Sequence, residues 1–453
     1  MQEQKLERRI GLLQATAINM TDMVGIGPFV VLSVVVEIIN GPAFLYAWIA
    51  GALLAFADAT VWSQLGATYP LAGGSYNFLK ESFGPRWGKM FSFLFVWQTM
   101  TLAPLVIASA AIGFAQYAGY LVHLDDISRK MVSGGLVILV VLLLYRRIES
   151  IGRISVFLWA GVLATMLWVI GAGVWHGHFM EPLQHINDSI QWNGAFTAAI
   201  GFASVKTVYS YLGYYNVCHL GGEILRPEKN IPRSMFISIG AITVLYLALN
   251  TSVASVLPLA TIAKSKFAVS EFILAVSGPV AARVITLLIL WVALASVFSA
   301  TLGYSRIPYA AAVDGRFFRV FARLHPTKNF PHVSLLVLGG LAFAFSILFG
   351  RLSDVISAIL AMRILIQFIA QAIGLLLLVK RKGLASFAWK MPLYPVPAIL
   401  AILAWAFIFF STGWKMMTGG LAVLSAGLIV YGFVRNKLNG NEAGVSTSGI
   451  PQQ

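Results

Sequence analysis

The chain has 453 residues, a mean hydropathy of +0.81, 58% hydrophobic residues and 11% charged residues. A soluble domain carries roughly 25% charged residues, so a soluble globular fold is excluded. The net charge of +15 would suggest nucleic acid in a soluble protein, but here the lysines and arginines are scattered over short loops and no aromatic-and-basic nucleic-acid module is present.

Residues 1–11 carry Lys5, Arg8 and Arg9 and then give way to apolar sequence. A bilayer-crossing helix needs about 20 apolar residues. Such runs recur about twelve times, at roughly 12–36, 43–65, 90–118, 131–146, 154–175, 194–219, 235–257, 281–304, 333–350, 354–380, 395–413 and 417–434. The pattern predicts an all-α polytopic membrane protein. The first run is too long, and too interrupted by glycine, for the apolar core of a cleavable signal.

That first run contains Gly25-Ile26-Gly27-Pro28-Phe29. Glycine weakens a helix and proline removes a donor. In hydrocarbon such a break is tolerated only where it is buried or lines a cavity. The second run, after the turn Asn40-Gly41-Pro42, holds Asp58. The fourth and fifth runs are apolar throughout, and the loop after them has His176, His178 and His185. A solvated loop is preferred there to a metal site.

The sixth run supplies a second interruption. Tyr209-Ser210-Tyr211-Leu212-Gly213-Tyr214-Tyr215-Asn216 brings polar aromatics, a serine and a glycine to mid-membrane depth. Transporters built from repeated units have discontinuous helices at corresponding positions. Half-helix N-termini there offer N–H groups to a carboxylate, and half-helix C-ends offer carbonyls to an ammonium. Two such breaks together fit an α-amino acid zwitterion.

Basic residues alternate between loops. One set of loops holds Lys80, Arg86, Lys89, Arg146, Arg147, Arg153, Arg226, Lys229, Arg233, Arg306, Arg316, Arg319, Arg323, Lys328, Lys380, Arg381, Lys382 and Lys390, with Arg435 and Lys437 after the last run. The other set holds Arg129, Lys130, Lys264, Lys266, Arg351 and Lys415. The bias predicts both termini on the cytoplasmic side of a cell membrane.

Five stretches resemble the amino acid–polyamine–organocation superfamily, in particular its L-amino-acid transporter branch. They are Met23 to Val30, Tyr69-Pro70-Leu71-Ala72-Gly73-Gly74-Ser75-Tyr76, Glu223 to Pro232, Ser305 to Gly315, and Met391 to Pro395. Their order and spacing span nearly the whole chain. The resemblance implies a LeuT-like fold of two inverted five-helix repeats plus two more helices. The expected division is an N-terminus 1–11, a transport core 12–380 with repeats 12–175 and 194–380, two further helices within 395–434, and a disordered cytoplasmic tail 439–453.

The resemblance also implies substrate-binding roles. Backbone N–H groups of the Gly25-Ile26-Gly27 stretch would cradle the carboxylate. Carbonyls near Met23 and at Tyr209, Ser210 and Leu212 would take the ammonium, with Tyr209 as an aromatic gate. The chain departs from the family in four places, one being Pro28, which stands where an aliphatic residue is usual. Ile26 stands where Ser or Thr is frequent, Gln64 stands where glutamate is common, and no Lys lies between Ser155 and Trp175 in the fifth run.

Intramembrane charges are expensive and mark function. Asp22, Asp58, Lys206, Arg283 and Arg363 lie within apolar runs. Lys206 shares a helix face with Tyr209; two roles are open to it, that of the missing lysine or the lining of the outer vestibule, and the coupling candidates are Lys206, Asp22, Asp58 and Glu223. Asp58 and Arg363 are expected to pair, and Arg283 to snorkel.

No enzyme motif is present: neither H-E-x-x-H, nor a nucleophile elbow, nor a P-loop. No cofactor and no metal is called for, and a channel would need a repeated filter. The reading is secondary active transport of amino acids, neutral ones favoured because the sixth run offers aromatics and Ser210 but no acid. A cationic amino acid or polyamine substrate, and a transport-inactive sensor or scaffold, stay open. So do exchange against proton symport, and any accessory subunit, to which the single Cys218 offers no outer-loop thiol.

Overall fold

The computed structural model describes residues 6–188, 190, 193–349 and 359–445, with side chains to residue 433. Lys5, Arg351, residues 354–358 of the tenth expected run and residues 446–453 lie outside the described residues. Among the described residues the fold is helical throughout, with two isolated β-bridges, Ile10 to Ile224 and Ala72 to Leu220.

In chain order the helices are α1 (Leu12–Met23), α2 (Gly27–Ile39), α3 (Leu45–Thr68), α4 (Ser75–Ala118), α5 (Asp126–Leu144) and α6 (Ile148–His176). Next come the short α7 (Glu181–Gln184), α8 (Gly194–Tyr211), α9 (Asn216–His219), α10 (Pro227–Ala254) and the short α11 (Leu259–Lys264). Then follow α12 (Ala268–Tyr304), α13 (Arg306–Val313) and α14 (His332–Leu348). The last three are α15 (Ile359–Lys382), α16 (Val396–Ser411) and α17 (Trp414–Val445).

Eight of the described helices are long and apolar enough to cross a membrane, and nine do so if α1 and α2 count as one bent span. The twelve runs read from sequence therefore do not all qualify. Helices α14 and α16 are shorter than a full span. Helix α8 is diluted by Lys206, Thr207, Tyr209, Ser210 and Tyr211. Helix α4 begins at Ser75, well before the expected 90, and continues across a bend at Gly84 (φ 71°). Helix α17 runs on to Val445, into the segment read as a tail.

The chain breaks twice where the sequence says it should. Helix α1 makes its last bond from Val24 N–H to the Met20 carbonyl at 2.9 Å; Val24 then leaves helical geometry (φ −85°, ψ 57°). Helix α2 restarts at Gly27 with Pro28 in its first turn, where a missing N–H is harmless. The two segments are bent by 43°. Helix α8 ends at Tyr211, Leu212 is extended (φ −62°, ψ 145°), Gly213 takes φ +121°, and α9 begins at Asn216.

Side chains replace the lost backbone bonds, as hydrocarbon demands. The Asn19 side-chain oxygen on α1 accepts from Val217 N–H on α9 at 2.9 Å. Asn216 donates to the Ser299 carbonyl at 2.8 Å, and Ser299 Oγ donates back to the Ile18 carbonyl on α1 at 2.7 Å. Helices α1, α9 and α12 are thereby laced together. Around this centre α10 packs on α1 and α3, and α12 packs on α4 and α6. The periphery leaves Leu142, Phe157, Leu167, Phe407 and Phe433 uncovered, as lipid-facing side chains are.

Candidate functional site

The two breaks touch. At Gly213 an added Cβ would lie 2.8 Å from the Met23 nitrogen and 2.9 Å from the Asp22 carbonyl carbon. Only a residue without a side chain lets the α8–α9 turn rest on the end of α1. Between the breaks opens a cleft. Met23, Gly25, Ile26, Gly27, Tyr209, Ser210 and Leu212 all line it, so the residues read from sequence as a binding set are brought together. Asp22 lines it too; Lys206, Asp58 and Glu223 do not.

The glycines of the first break serve helix contact as well as access. A Cβ at Gly25 would meet Ser296 Oγ on α12 at 2.6 Å, and one at Gly27 would meet Ser210 Oγ at 3.0 Å. The Ile26 side chain points away from the cleft's polar wall onto Gly113 of α4, where a Cβ would come within 2.6 Å of it. Tyr209 is partly exposed, and its hydroxyl lies 3.0 Å from Ser109 Oγ of α4. The Ser210 hydroxyl is buried, lines the cleft and has no hydrogen-bond partner. An unpartnered buried hydroxyl costs free energy unless a ligand or water meets it.

Three residues gain their roles only in the structure, and of these only Tyr246 escapes sequence reasoning altogether. The first is Tyr246 on α10, wholly buried, whose hydroxyl lies 2.7 Å from the Met23 carbonyl and 2.9 Å from the Ser210 carbonyl. It bridges the two breaks, held by Trp48 at a ring separation of 5.2 Å. A single tyrosine in a long apolar helix reads as an interfacial residue, so no local signal marks it. The second is Arg363. Its guanidinium lines the cleft and donates to the hydroxyls of Tyr215 and Tyr304, while Nε stays unpartnered. A π-helical stretch, Ile364–Ala370, follows it directly; such local widening frequently marks a functional site. The third is Gly213 itself.

The expected Asp58–Arg363 pair does not form. The Asp58 carboxylate accepts from the Tyr214 hydroxyl, beside Trp62 and Trp405, and Arg363 goes to the adjacent Tyr215. Consecutive tyrosines each take one charge. Arg283 is exposed on α12, as a snorkelling residue would be. Among the three loop histidines, His185 bonds Asp188 at 2.5 Å, and that carboxylate raises its pKa.

Four of the five stretches that carry the family resemblance, all but Met23 to Val30, meet at the end of the molecule where the N-terminal arm docks. Glu223 forms a buried ion pair with Arg306 at 2.9 Å. The Glu223 carbonyl accepts from Arg9 and Ile10 N–H groups, both at 2.9 Å. Gly73 N–H donates to the His219 carbonyl at 2.9 Å, and Asp314 receives Tyr76 at 3.0 Å and pairs with Lys80. Gln64 accepts from Met391 N–H at 3.1 Å and so pins the 391–395 turn to α3.

An amino acid permease family model matches residues 10–434. The chain belongs to the amino acid permease family. The permease is 26% identical to the serine/threonine exchanger SteT of Bacillus subtilis, over 94% of this chain and 96% of that one. It is 22% identical to the branched-chain amino acid permease BcaP of the same organism, covering 95% and 93%. It is 25% identical to the rabbit (Oryctolagus cuniculus) large neutral amino acids transporter small subunit 2, covering 94% and 80%. These relatives are transporters, not enzymes. The permease is an integral, multi-pass membrane protein that transports amino acids.

Proposed function

We propose that the permease moves neutral L-amino acids across the cell membrane by alternating access, as an exchanger or a proton-coupled symporter. The observation that carries this reading is the cleft between the two helix breaks. One acid, Asp22, and one base, Arg363, line it, so its formal charge balances and a zwitterion of zero net charge keeps it balanced. A dication such as a polyamine, or a cationic amino acid, gains Asp22 but meets Arg363 in the same space. The names of the relatives support an amino acid substrate without deciding which one.

The architecture we propose is a LeuT-like core of two inverted five-helix repeats, 12–175 and 194–380, with two further helices within 395–434. Helices α8, α14 and α16 would complete twelve spans, and both termini would be cytoplasmic. The Ile26 and Gly27 N–H groups would cradle the carboxylate, and Tyr209 would gate the cleft. Lys206 remains the leading proton-coupling candidate, although it stands off the cleft wall; Asp22, Asp58 and Glu223 follow. The rabbit relative's name describes a small subunit. Here the lone cysteine, Cys218, is buried, so a disulfide to an accessory subunit is not on offer.

A thermal-shift panel of the twenty proteinogenic amino acids, putrescine and spermidine on the purified protein tests the substrate class. A ligand at 100 times its Kd stabilises the folded state by about 2.7 kcal/mol. Stabilisation by one or more neutral amino acids is expected. Stabilisation by arginine, lysine or the polyamines alone would reverse the assignment. Stabilisation without uptake in proteoliposomes would favour a sensor.

A further inference from the structure

We infer that the Asp22 carboxylate, not only backbone carbonyls, recognises the substrate ammonium; this rests on the proposed amino acid cleft. Three observations converge. First, the Met23 and Ser210 carbonyls, which the resemblance assigns to the ammonium, already face the Tyr246 hydroxyl at 2.7 and 2.9 Å. One proton shared between two carbonyls occupies the lone pairs aimed into the bridge. Second, Asp22 sits one residue before Met23, lines the cleft and is partly exposed to it. No hydrogen bond or ion pair engages its carboxylate among the described residues. Arg363, the positive charge lining the same cleft, donates to the hydroxyls of Tyr215 and Tyr304. Third, the Ser210 hydroxyl on the opposite break is 2% exposed, unpartnered and lines the same cleft.

A charged acceptor and a hydroxyl on two facing breaks form a site for a primary ammonium, which needs three acceptors. The Asp22 carboxylate supplies a charge-assisted bond, about twice as strong as a neutral one. Ser210 Oγ supplies a second, and a remaining lone pair of a break carbonyl a third. Gly213 is the residue that makes this arrangement possible. A side chain there would strike the Asp22 Cβ at 2.9 Å and turn the carboxylate out of place.

The test compares each of three amino acids with the analogue that carries hydroxyl in place of the amine. The pairs are L-leucine with 2-hydroxyisocaproate, L-serine with glycerate, and L-alanine with lactate. Binding to full-length purified parent and Asp22→Asn is measured by calorimetry. In the parent the best-bound amino acid should exceed its hydroxy acid by about 100-fold. In Asp22→Asn that ratio should fall at least about tenfold, because the amino acid loses its charged acceptor. An unchanged ratio in Asp22→Asn overturns the inference and leaves amino acid binding standing. A parent that binds none of the three amino acids overturns both. If Asp22→Asn does not give a monodisperse protein, Asp22→Glu decides: retained discrimination with a shifted optimum of amino acid size supports the carboxylate, and indifference to the amine overturns it.

Discussion

Gly213 and Tyr246 do opposite jobs at one contact. The glycine lets the two breaks approach and the tyrosine ties them. Gly213→Ala must adopt a positive φ and also displace the Met23 backbone, so its apparent melting temperature should fall by several degrees and binding should be lost. Gly171→Ala, with open space around it, should leave both unchanged. Thermal denaturation of the two variants side by side checks this. Tyr246→Phe keeps the Trp48 packing but leaves two buried carbonyls without their donor, a loss of about 1–3 kcal/mol. A melting curve indistinguishable from the parent would show that the bridge carries no weight. Of these residues only the break glycines are legible in the sequence, because glycine and proline inside an apolar run violate a local rule. Tyr246 and the partners of Arg363 obey every local rule, and their roles arise only when distant helices meet. The Asp58–Arg363 expectation failed for that reason: two opposite charges suggest one pair, but Tyr214 and Tyr215 separate them.

At the end where the N-terminal arm docks, the helices are joined by a buried ion pair. Glu223 and Arg306 are both almost wholly buried, and removing one partner of such a pair costs about 3–5 kcal/mol because the other charge is stranded. The N-terminal arm hydrogen-bonds the Glu223 backbone, so the strain should appear as opening at this end. Cys218 on α9 is the only cysteine in the chain, and it is buried, which makes it a built-in reporter. In the parent it should resist a membrane-permeant maleimide, and Glu223→Gln should raise its labelling rate at least severalfold. Equal rates would mean that the pair does not hold this end shut. At the scale of elements the sequence reads well. Both breaks lie where glycine, proline and polar aromatics interrupt apolar runs, and the other four motif stretches meet at the end where the N-terminal arm docks. Element ends read less well: α4 starts at Ser75, but Lys80, Glu81, Arg86 and Lys89 in its first turns interrupt the apolar run that marks it in the sequence.

For the whole molecule, the family and the cleft between the two breaks fit the proposed carrier. Lys206 gives a test of coupling. If it carries the proton, Lys206→Met should flatten the dependence of uptake on external pH, and sodium should not stimulate the parent; superimposable pH profiles would move coupling to Asp22, Asp58 or Glu223. The central claim is narrower, that the cleft between the α1–α2 and α8–α9 breaks binds and carries amino acids. It is tested most directly by uptake of a radiolabelled neutral amino acid into proteoliposomes, with parent and Gly27→Val prepared to the same monodispersity. The expected result is saturable uptake by the parent and none by Gly27→Val, whose side chain would fill the space against Ser210. Normal uptake by Gly27→Val, or none of any amino acid by the parent, would contradict the account.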